Sequence, residues 1–353
     1  MNNFIINKKF WKNKKVFITG HTGFKGAWLC IFLNFLGAKI TGYSLKPQKK
    51  SLFNLANISG IILKSYFEDI RNASKLKSAI SKSNADIIFH LAAQPLVSES
   101  YKNPKNTFDT NILGTINIME IIKNSKNIRS AIIVTTDKVY DVKKNKIFNE
   151  TDLLGGSDPY SMSKVCCELI CKSYYKSYEK LNKKIIATVR AGNVIGGGDY
   201  SKDRIIPDIY RSYNKNTNIL LRNPNHVRPW QHVLEPLAGY LILAEKMYKK
   251  ELTDKVQNWN FGPNLTDCRT VKYVAEKFSK KLSIKLQVQK NKKKIKETYS
   301  LRLNNAKSKK YLRWVPKWSI DKCIIKIIEW NVLTKKKNIL DVCEKQLIDY
   351  LKD

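Results

Sequence analysis

The chain has 353 residues, 43% of them apolar, enough to bury the core of one large domain and a smaller lobe and too many for a chain that stays disordered. No run of about 18 apolar residues occurs, and the opening MNNFIINKKFWKNKKVFITG lacks the continuous apolar stretch and small-residue cleavage site of a signal peptide, so a soluble, cytoplasmic protein without a membrane partner is expected. The formal charge of +36 comes from lysines spread through every segment rather than gathered in one block, which points to solubility and a field attractive to small anions, not to a nucleic-acid partner.

In chain order, Val16 to Thr19 reads as a strand that enters a glycine-rich turn, and Phe24 to Leu36 has helical spacing. Ala38 to Tyr43 is a second strand, Ile61 to Phe67 a weaker third, Ala85 to Leu91 (ADIIFHL) a fourth, Ala131 to Thr135 (AIIVT) a fifth and Ile185 to Arg190 a sixth. Strands that alternate with helices predict an α/β fold with a doubly wound parallel sheet, whose strands are continuously apolar because both faces are covered. After Arg190 the sequence turns loop-rich, with Pro207, Pro224, Pro229 and Pro236 as punctuation, predicted helices at Leu237 to Tyr248 and Thr270 to Lys280, and a lysine run, Lys290 to Lys296, read as a solvated loop. This half is expected to form a smaller mixed α/β lobe over the C-terminal strand ends, where ligands of open α/β sheets bind. The expected division is residues 1–192 with about 230–260 in the sheet domain, and 193–229 with 261–353 in the lobe. Seven cysteines without CxxC spacing and four scattered histidines give no reason to expect a metal or a disulfide framework.

The segment GHTGFKG places Gly20, Gly23 and Gly26 between a strand and a helix, the context of a Rossmann dinucleotide fingerprint. Gly20 permits the tight turn, Gly23 lets backbone approach a pyrophosphate that the helix N-terminus attracts, and Gly26 allows close helix–sheet packing. The second strand ends in GYSLKP, without the Asp or Glu that binds the ribose 2′-hydroxyl in NAD sites. Ser44 could bond that ribose and Lys46 could meet a 2′-phosphate, so these residues leave NAD and NADP open. YSMSK sets Lys164 one helical turn after Tyr160. A phenol has a reference pKa of about 10, too high for a base at neutral pH, and a neighbouring ammonium can stabilise its anion. TTDKVY, Thr135 to Tyr140, adds a carboxyl and an amine at the end of the fifth strand, either a surface ion pair or acid–base groups of a site.

The Gly-x-x-Gly-x-x-Gly spacing and the Tyr160/Lys164 pair resemble the extended short-chain dehydrogenase/reductase superfamily. TTDKVY, RAGNVIGGGD (Arg190 to Asp199), DRIIPD (Asp203 to Asp208) and RNPNHVRPWQHVLEP (Arg222 to Pro236) together resemble its CDP-D-glucose 4,6-dehydratases, over about Val16 to Trp318. The resemblance implies bound NAD, held by Gly20, Thr22, Gly23, Phe24 and Gly26, with Asp69 and Ile70 at the adenine, Leu91, Ala92, Ala93 and Gln94 beneath the dinucleotide, Asn111 as a supporting asparagine, and Tyr160 and Lys164 at the nicotinamide ribose. It implies that Tyr160 takes the proton of the sugar 4-hydroxyl as hydride leaves, that Thr136 binds the 4-oxygen, that Asp137 protonates the departing 6-hydroxyl, and that Lys138 is or assists the base at carbon 5. Asn193 and Arg228 are implied to bind the substrate diphosphate, with Arg204 and Arg222 as partners. The implied substrate is CDP-glucose, and the implied assembly a homodimer or homotetramer through helices at about Pro104–Asn124 and Tyr160–Lys180, with Cys166, Cys167 and Tyr174 in the seam. Two departures stand out: Asn305 replaces a usual Asp, and SESY, Ser98 to Tyr101, lacks a common Arg. A sugar-nucleotide epimerase or reductase of the same fold would not need Asp137, and a basic NAD-binding scaffold would keep the glycines without chemistry.

Overall fold

The apolar bursts of the first half become neighbours in one sheet. A computed structural model describes residues 6–142, 146–181, 184–252, 256–288 and 298–353; the lysine run at 290–296 lies outside them. Strands β1 (Lys15–Thr19), β2 (Lys39–Ser44), β3 (Lys64–Phe67), β4 (Ile87–His90), β5 (Ser130–Val134) and β6 (Ile185–Ala191) form a parallel sheet with β10 (Val256–Phe261), in the order β10-β6-β5-β4-β1-β2-β3. Between the strands run α1 (Phe24–Phe35), α2 (Ala73–Ser83), α3 (Gly114–Asn124) and α4 (Pro159–Ser177).

Side chains alternate across a strand, so the two faces of the sheet feed two cores. Val16, Ile18, Ile87, Phe89 and Ile132 face one, with Trp28 and Leu29 of α1. Phe17, Ile88, Ala131 and Ile133 face the other, with Leu76 and Ile80 of α2, Ile118 and Ile122 of α3 and Cys171 of α4. Each large apolar side chain fully buried in this way contributes about 1.5–3 kcal/mol. Chain order reverses at β1, which lies between β2 and β4, and the crevice outside the C-terminal ends of such strands is where ligands bind.

After β6 the chain forms β7 (Asn193–Ile195), α5 (Ile205–Asn214), β8 (Ile219–Leu221), β9 (Val227–His232), α6 (Leu234–Tyr248), β11 (Cys268–Thr270), α7 (Val271–Leu282) and β12 (Leu286–Val288). Here β9 pairs with β7 and β11, and β8 with β12, while α6 returns to the large sheet, its Leu237 and Leu241 sharing a core with Ile132 of β5 and Val189 of β6. Helices α8 (Ile320–Leu333) and α9 (Ile339–Lys352) close the chain, and their buried Ile327, Leu347 and Tyr350 join the α1 core.

The expected six strands and first helix form within a few residues of their expected limits. The third strand starts only at Lys64, because a left-handed Asn57 and a short turn at Ile58–Gly60 use the residues before it. The seventh strand, β10, lacks a continuous apolar run, since two asparagines interrupt it: Asn258 and Asn260 are satisfied sideways, by Thr188 Oγ1 at 2.8 Å and the Tyr140 hydroxyl at 2.6 Å. Among the described residues no helix is long and apolar enough to cross a membrane, and no group of three His, Cys, Asp or Glu could hold a metal ion.

Candidate active site

The fingerprint turn has the shape that its glycines suggest. Gly20 adopts φ +75°, and a Cβ there would meet the Ala92 nitrogen at 2.7 Å; a Cβ on Gly26 would meet the Gly20 oxygen at 2.1 Å. Both glycines therefore let α1 and the β4 end approach the turn. Gly23 differs, since a Cβ there would meet only the Gly20 oxygen, at 3.4 Å, and would otherwise fill the space over the helix. Gly23 is the N-cap of α1, and no side chain caps that end, so its first backbone N–H groups face an open cradle suited to a diphosphate. The fit to a dinucleotide rests on this cradle.

Around it, Thr22 Oγ1 lies 2.8 Å from Ser44 Oγ and donates to the Leu45 oxygen at 3.1 Å. Phe24 opens the helix and is half-buried. Asp69 is bound by Arg71, whose side chain holds its carboxyl below the usual range, and Ile70 is buried under Gly114. Leu91, Ala92, Ala93 and Gln94 line the β4 end, all half-buried. The Gln94 N–H donates to Asn111 Oδ1 at 2.8 Å, and Asn111 Nδ2 donates to Ser163 Oγ at 2.8 Å, so Asn111 ties this loop to α4 at the residue before Lys164.

The catalytic candidates meet at the ends of β5 and α4. Thr136, Asp137, Tyr160 and Lys164 are all buried, and Lys138 is half-buried. Thr136 Oγ1 donates to Asp137 Oδ1 at 3.1 Å, while Asp137 Oδ2 is buried without a hydrogen-bond partner. Burial raises the Asp137 pKa, against the opposing charge of Lys138, the Thr136 bond, and the charges of Arg228 and Lys25. The shift runs toward the protonated form, the direction that an acid needs. Burial also pushes the Tyr160 phenol up to about 12, against a hydrogen bond from Thr136. Lys164 does not meet the phenol directly in this structure; its ammonium donates to the Val134 oxygen at 3.0 Å, and burial lowers its pKa.

Two features here carried no distinct sequence signal. Lys25, in the first turn of α1 inside the fingerprint, has its pKa lowered to about 7 by burial, then by the charge of Arg204, and less by Lys164, with Asp137 opposing. A second buried network braces the site. Arg190 Nε donates to Glu168 Oε1 at 2.8 Å, and Thr135 Oγ1 donates to the same oxygen at 2.7 Å.

Of the lobe residues, Arg228 is buried and near enough to Asp137 to act on its charge; its guanidinium lies 3.0 Å from His226 Nδ1. Arg204 acts on Tyr160 and Lys25 and pairs with Asp199 at 3.3 Å. Arg222 pairs with Asp203 at 2.8 Å, and Ser98, in the segment lacking an Arg, donates to the same carboxylate at 3.0 Å. Asn193 opens β7 opposite Trp230. Asn305 is a loop staple: Oδ1 accepts from the Gly262 N–H at 2.9 Å and Nδ2 donates to the Gly262 oxygen at 2.6 Å, a donation that a carboxylate cannot make.

The sequence profile of the GDP-mannose 4,6-dehydratase family matches residues 17–327. The chain belongs to that family. It is 39% identical to a CDP-glucose 4,6-dehydratase of Salmonella typhimurium over 360 aligned residues, covering 98% of this chain and 99% of the relative. Among solved structures, a dTDP-glucose 4,6-dehydratase of Bacillus anthracis in complex with NAD superposes with a TM-score of 0.77 at 22% identity, over 92% of this chain and 98% of that one. A UDP-glucose 4-epimerase of Thermotoga maritima with UDP-glucose reaches 0.78 at 20% identity, over 91% and 99%. These structural matches show the shared fold, which hosts both kinds of activity.

Proposed function

We propose that the chain is an NAD-dependent CDP-glucose 4,6-dehydratase, a cytoplasmic hydro-lyase that forms CDP-4-dehydro-6-deoxy-D-glucose. The observation that carries this reading over an epimerase is Asp137, a buried carboxyl whose pKa is raised by burial and whose second oxygen has no partner, beside Thr136 and Tyr160. The near full-length similarity to a relative named for this reaction supports the substrate.

Bound NAD would accept hydride from carbon 4 of the sugar and return it to carbon 6. Gly20, Thr22, Gly23, Phe24 and Gly26 would hold its diphosphate end, Asp69 and Ile70 its adenine, and Leu91 to Gln94 its middle. Tyr160 takes the 4-hydroxyl proton, and Thr136 and Tyr160 hold the 4-oxygen through the cycle. Once carbon 4 is a ketone the proton at carbon 5 is acidified, and Lys138 removes it or orients the base. Asp137 gives its proton to the departing 6-hydroxyl, which leaves as water, and the group that took the carbon 5 proton gives one back to carbon 5 as carbon 6 gains the hydride. Asn193, Arg204, Arg222 and Arg228 bind the diphosphate, for which planar guanidinium groups are suited. Residues 1–192 with about 230–260 hold the dinucleotide, and 193–229 with 261–353 the sugar nucleotide.

The assembly is a homodimer or homotetramer through α3 and α4. Leu113, Met162 and Leu169, 46%, 37% and 51% exposed, supply the apolar seam with Cys166. Cys167 does not belong to the seam: its thiol is buried and donates to the Asn111 oxygen at 3.2 Å.

The test is incubation of the purified protein with CDP-glucose and NAD⁺ without added reductant. A product whose 4-keto group absorbs in alkali, with net loss of one water by mass, is expected. CDP-galactose as the sole product would instead assign an epimerase.

A further inference from the structure

Residues 299–303 run between two parts of the site. At one end the Val227 N–H donates to the Tyr299 oxygen at 2.9 Å, and Ser300 bridges Val227 at the start of β9. At the other the Phe148 N–H donates to the Arg302 oxygen at 2.9 Å, and Leu303 bridges Phe148. Side chains alternate along such a segment. Leu301 and Leu303 enter a small core with Val139, Tyr140, Phe148 and Val165, so Arg302 points the other way.

That side faces the substrate end of the site. Arg302 is half-buried, its Nε is buried without a hydrogen-bond partner, and no carboxylate pairs with it among the described residues. An arginine keeps its charge, so such a donor needs an acceptor from outside the chain. The Cys268 thiol, whose pKa burial raises to about 11, feels Arg302 opposing that shift and Asp267 and Asp137 adding to it. Cys268 lies opposite Pro229, the residue after Arg228. Arg302 and Asp137 therefore flank one thiol beside Arg228. The Arg228 fork is itself partly engaged: Nη1 donates to the Val227 and Tyr299 oxygens at 3.0 and 3.2 Å, and Nη2 lies 3.0 Å from His226 Nδ1.

We propose that Arg302 binds the sugar-linked phosphate of the substrate diphosphate, a contact additional to that of Arg228. The proposal rests on the sugar-nucleotide reading given above and adds a residue to it. The diphosphate is the charged part of a sugar nucleotide, and a planar guanidinium without a protein acceptor can meet two phosphate oxygens at once. Of the two phosphates, the sugar-linked one adjoins the hexose that Asp137 serves, and Arg302 shares the Cys268 neighbourhood with Asp137.

The experiment is calorimetric titration of the NAD-loaded protein with CDP and with CMP, which lacks the second phosphate. In Arg302→Met the dissociation constant for CDP should rise by about tenfold or more, while that for CMP changes by less than about threefold. Arg302→Lys keeps the charge without the fork and should recover part of the CDP loss. The KM for CDP-glucose should rise with the CDP constant. A purely structural role would weaken both nucleotides alike. Equal weakening of CDP and CMP, or no weakening of either, overturns the proposal and leaves the dehydratase reading standing. A parent protein that binds neither nucleotide overturns both.

Discussion

Arg190 of β6 and Glu168 of α4 form an ion pair that solvent does not reach, with 0% and 2% of the respective side chains exposed. Glu168 also accepts from Thr135, one residue before Thr136, and lies one helical turn after Lys164. Arg190 further donates to the Tyr140 hydroxyl at 2.8 Å, which reaches Asn260 of β10. One buried network therefore joins the helix that carries Tyr160 and Lys164 to the strand end that carries Thr136 and Asp137. Removing one partner of such a pair leaves a buried charge without compensation, at about 3–5 kcal/mol. Glu168→Gln should lower stability by that order in urea titration. A loss under about 1 kcal/mol would mean that water replaces the lost partner.

Tyr160→Phe removes the hydroxyl and keeps the ring. Acid–base groups contribute about 10²- to 10⁴-fold, so turnover of CDP-glucose should fall by at least about 100-fold while the thermal midpoint stays near that of the parent protein. Retained turnover would exclude the phenol from proton transfer.

Asp137→Asn separates two steps. The raised pKa of Asp137, caused first by burial, suits a group that starts protonated. The amide cannot give a proton to the leaving hydroxyl, so elimination should slow by about 10²- to 10⁴-fold. The 4-keto hexose nucleotide that still bears its 6-hydroxyl should then build up, visible by mass. Equal slowing of oxidation and elimination would argue against the acid role.

Lys25 has its pKa lowered to about 7, first by burial and then by Arg204, so at pH 7.5 much of it is neutral. A diphosphate brought to the N-terminus of α1 favours the charged amine and raises that pKa. Dinucleotide binding at pH 7.5 should therefore take up protons, seen as a binding heat that varies with the ionisation heat of the buffer. Lys25→Met should remove that variation, and heats independent of buffer in the parent protein would contradict it.

How far the sequence led depended on whether a residue's role is local. Gly20 and Gly26 are needed by the turn that contains them, so their spacing was readable. The same holds for apolar β1, β4 and β5, whose alternate residues enter separate cores. Strand β10 was not readable, because Asn258 and Asn260 are made burial-competent by partners 70 and 120 residues away. Lys25 looked like one lysine among many, since its shift comes first from burial and then from Arg204 and Lys164, against Asp137, and only the fold sets these. Asn305 matters through the backbone of Gly262, and neither spacing nor composition reports such a contact.

Glu235, in the first turn of α6, couples the C-terminal segment to pH. Its Oε1 accepts from the Lys317 and Trp318 N–H groups at 3.0 and 2.7 Å, and its Oε2 from the Tyr350 hydroxyl at 2.8 Å. Burial raises its pKa from 4.5 to about 7, although these bonds oppose the shift. Between those values the folded protein holds a proton that the unfolded chain has released, so stability falls as pH rises. The full effect is about 3 kcal/mol, present below the unfolded value and lost as pH climbs through about 7. Glu235→Gln keeps the shape and removes the titration, and its amide can donate to the Tyr350 oxygen in place of accepting from it. In urea titrations from pH 5 to 8 the variant should therefore gain on the parent protein by about 2.5 kcal/mol. Parallel curves would mean that Glu235 is charged across the whole range.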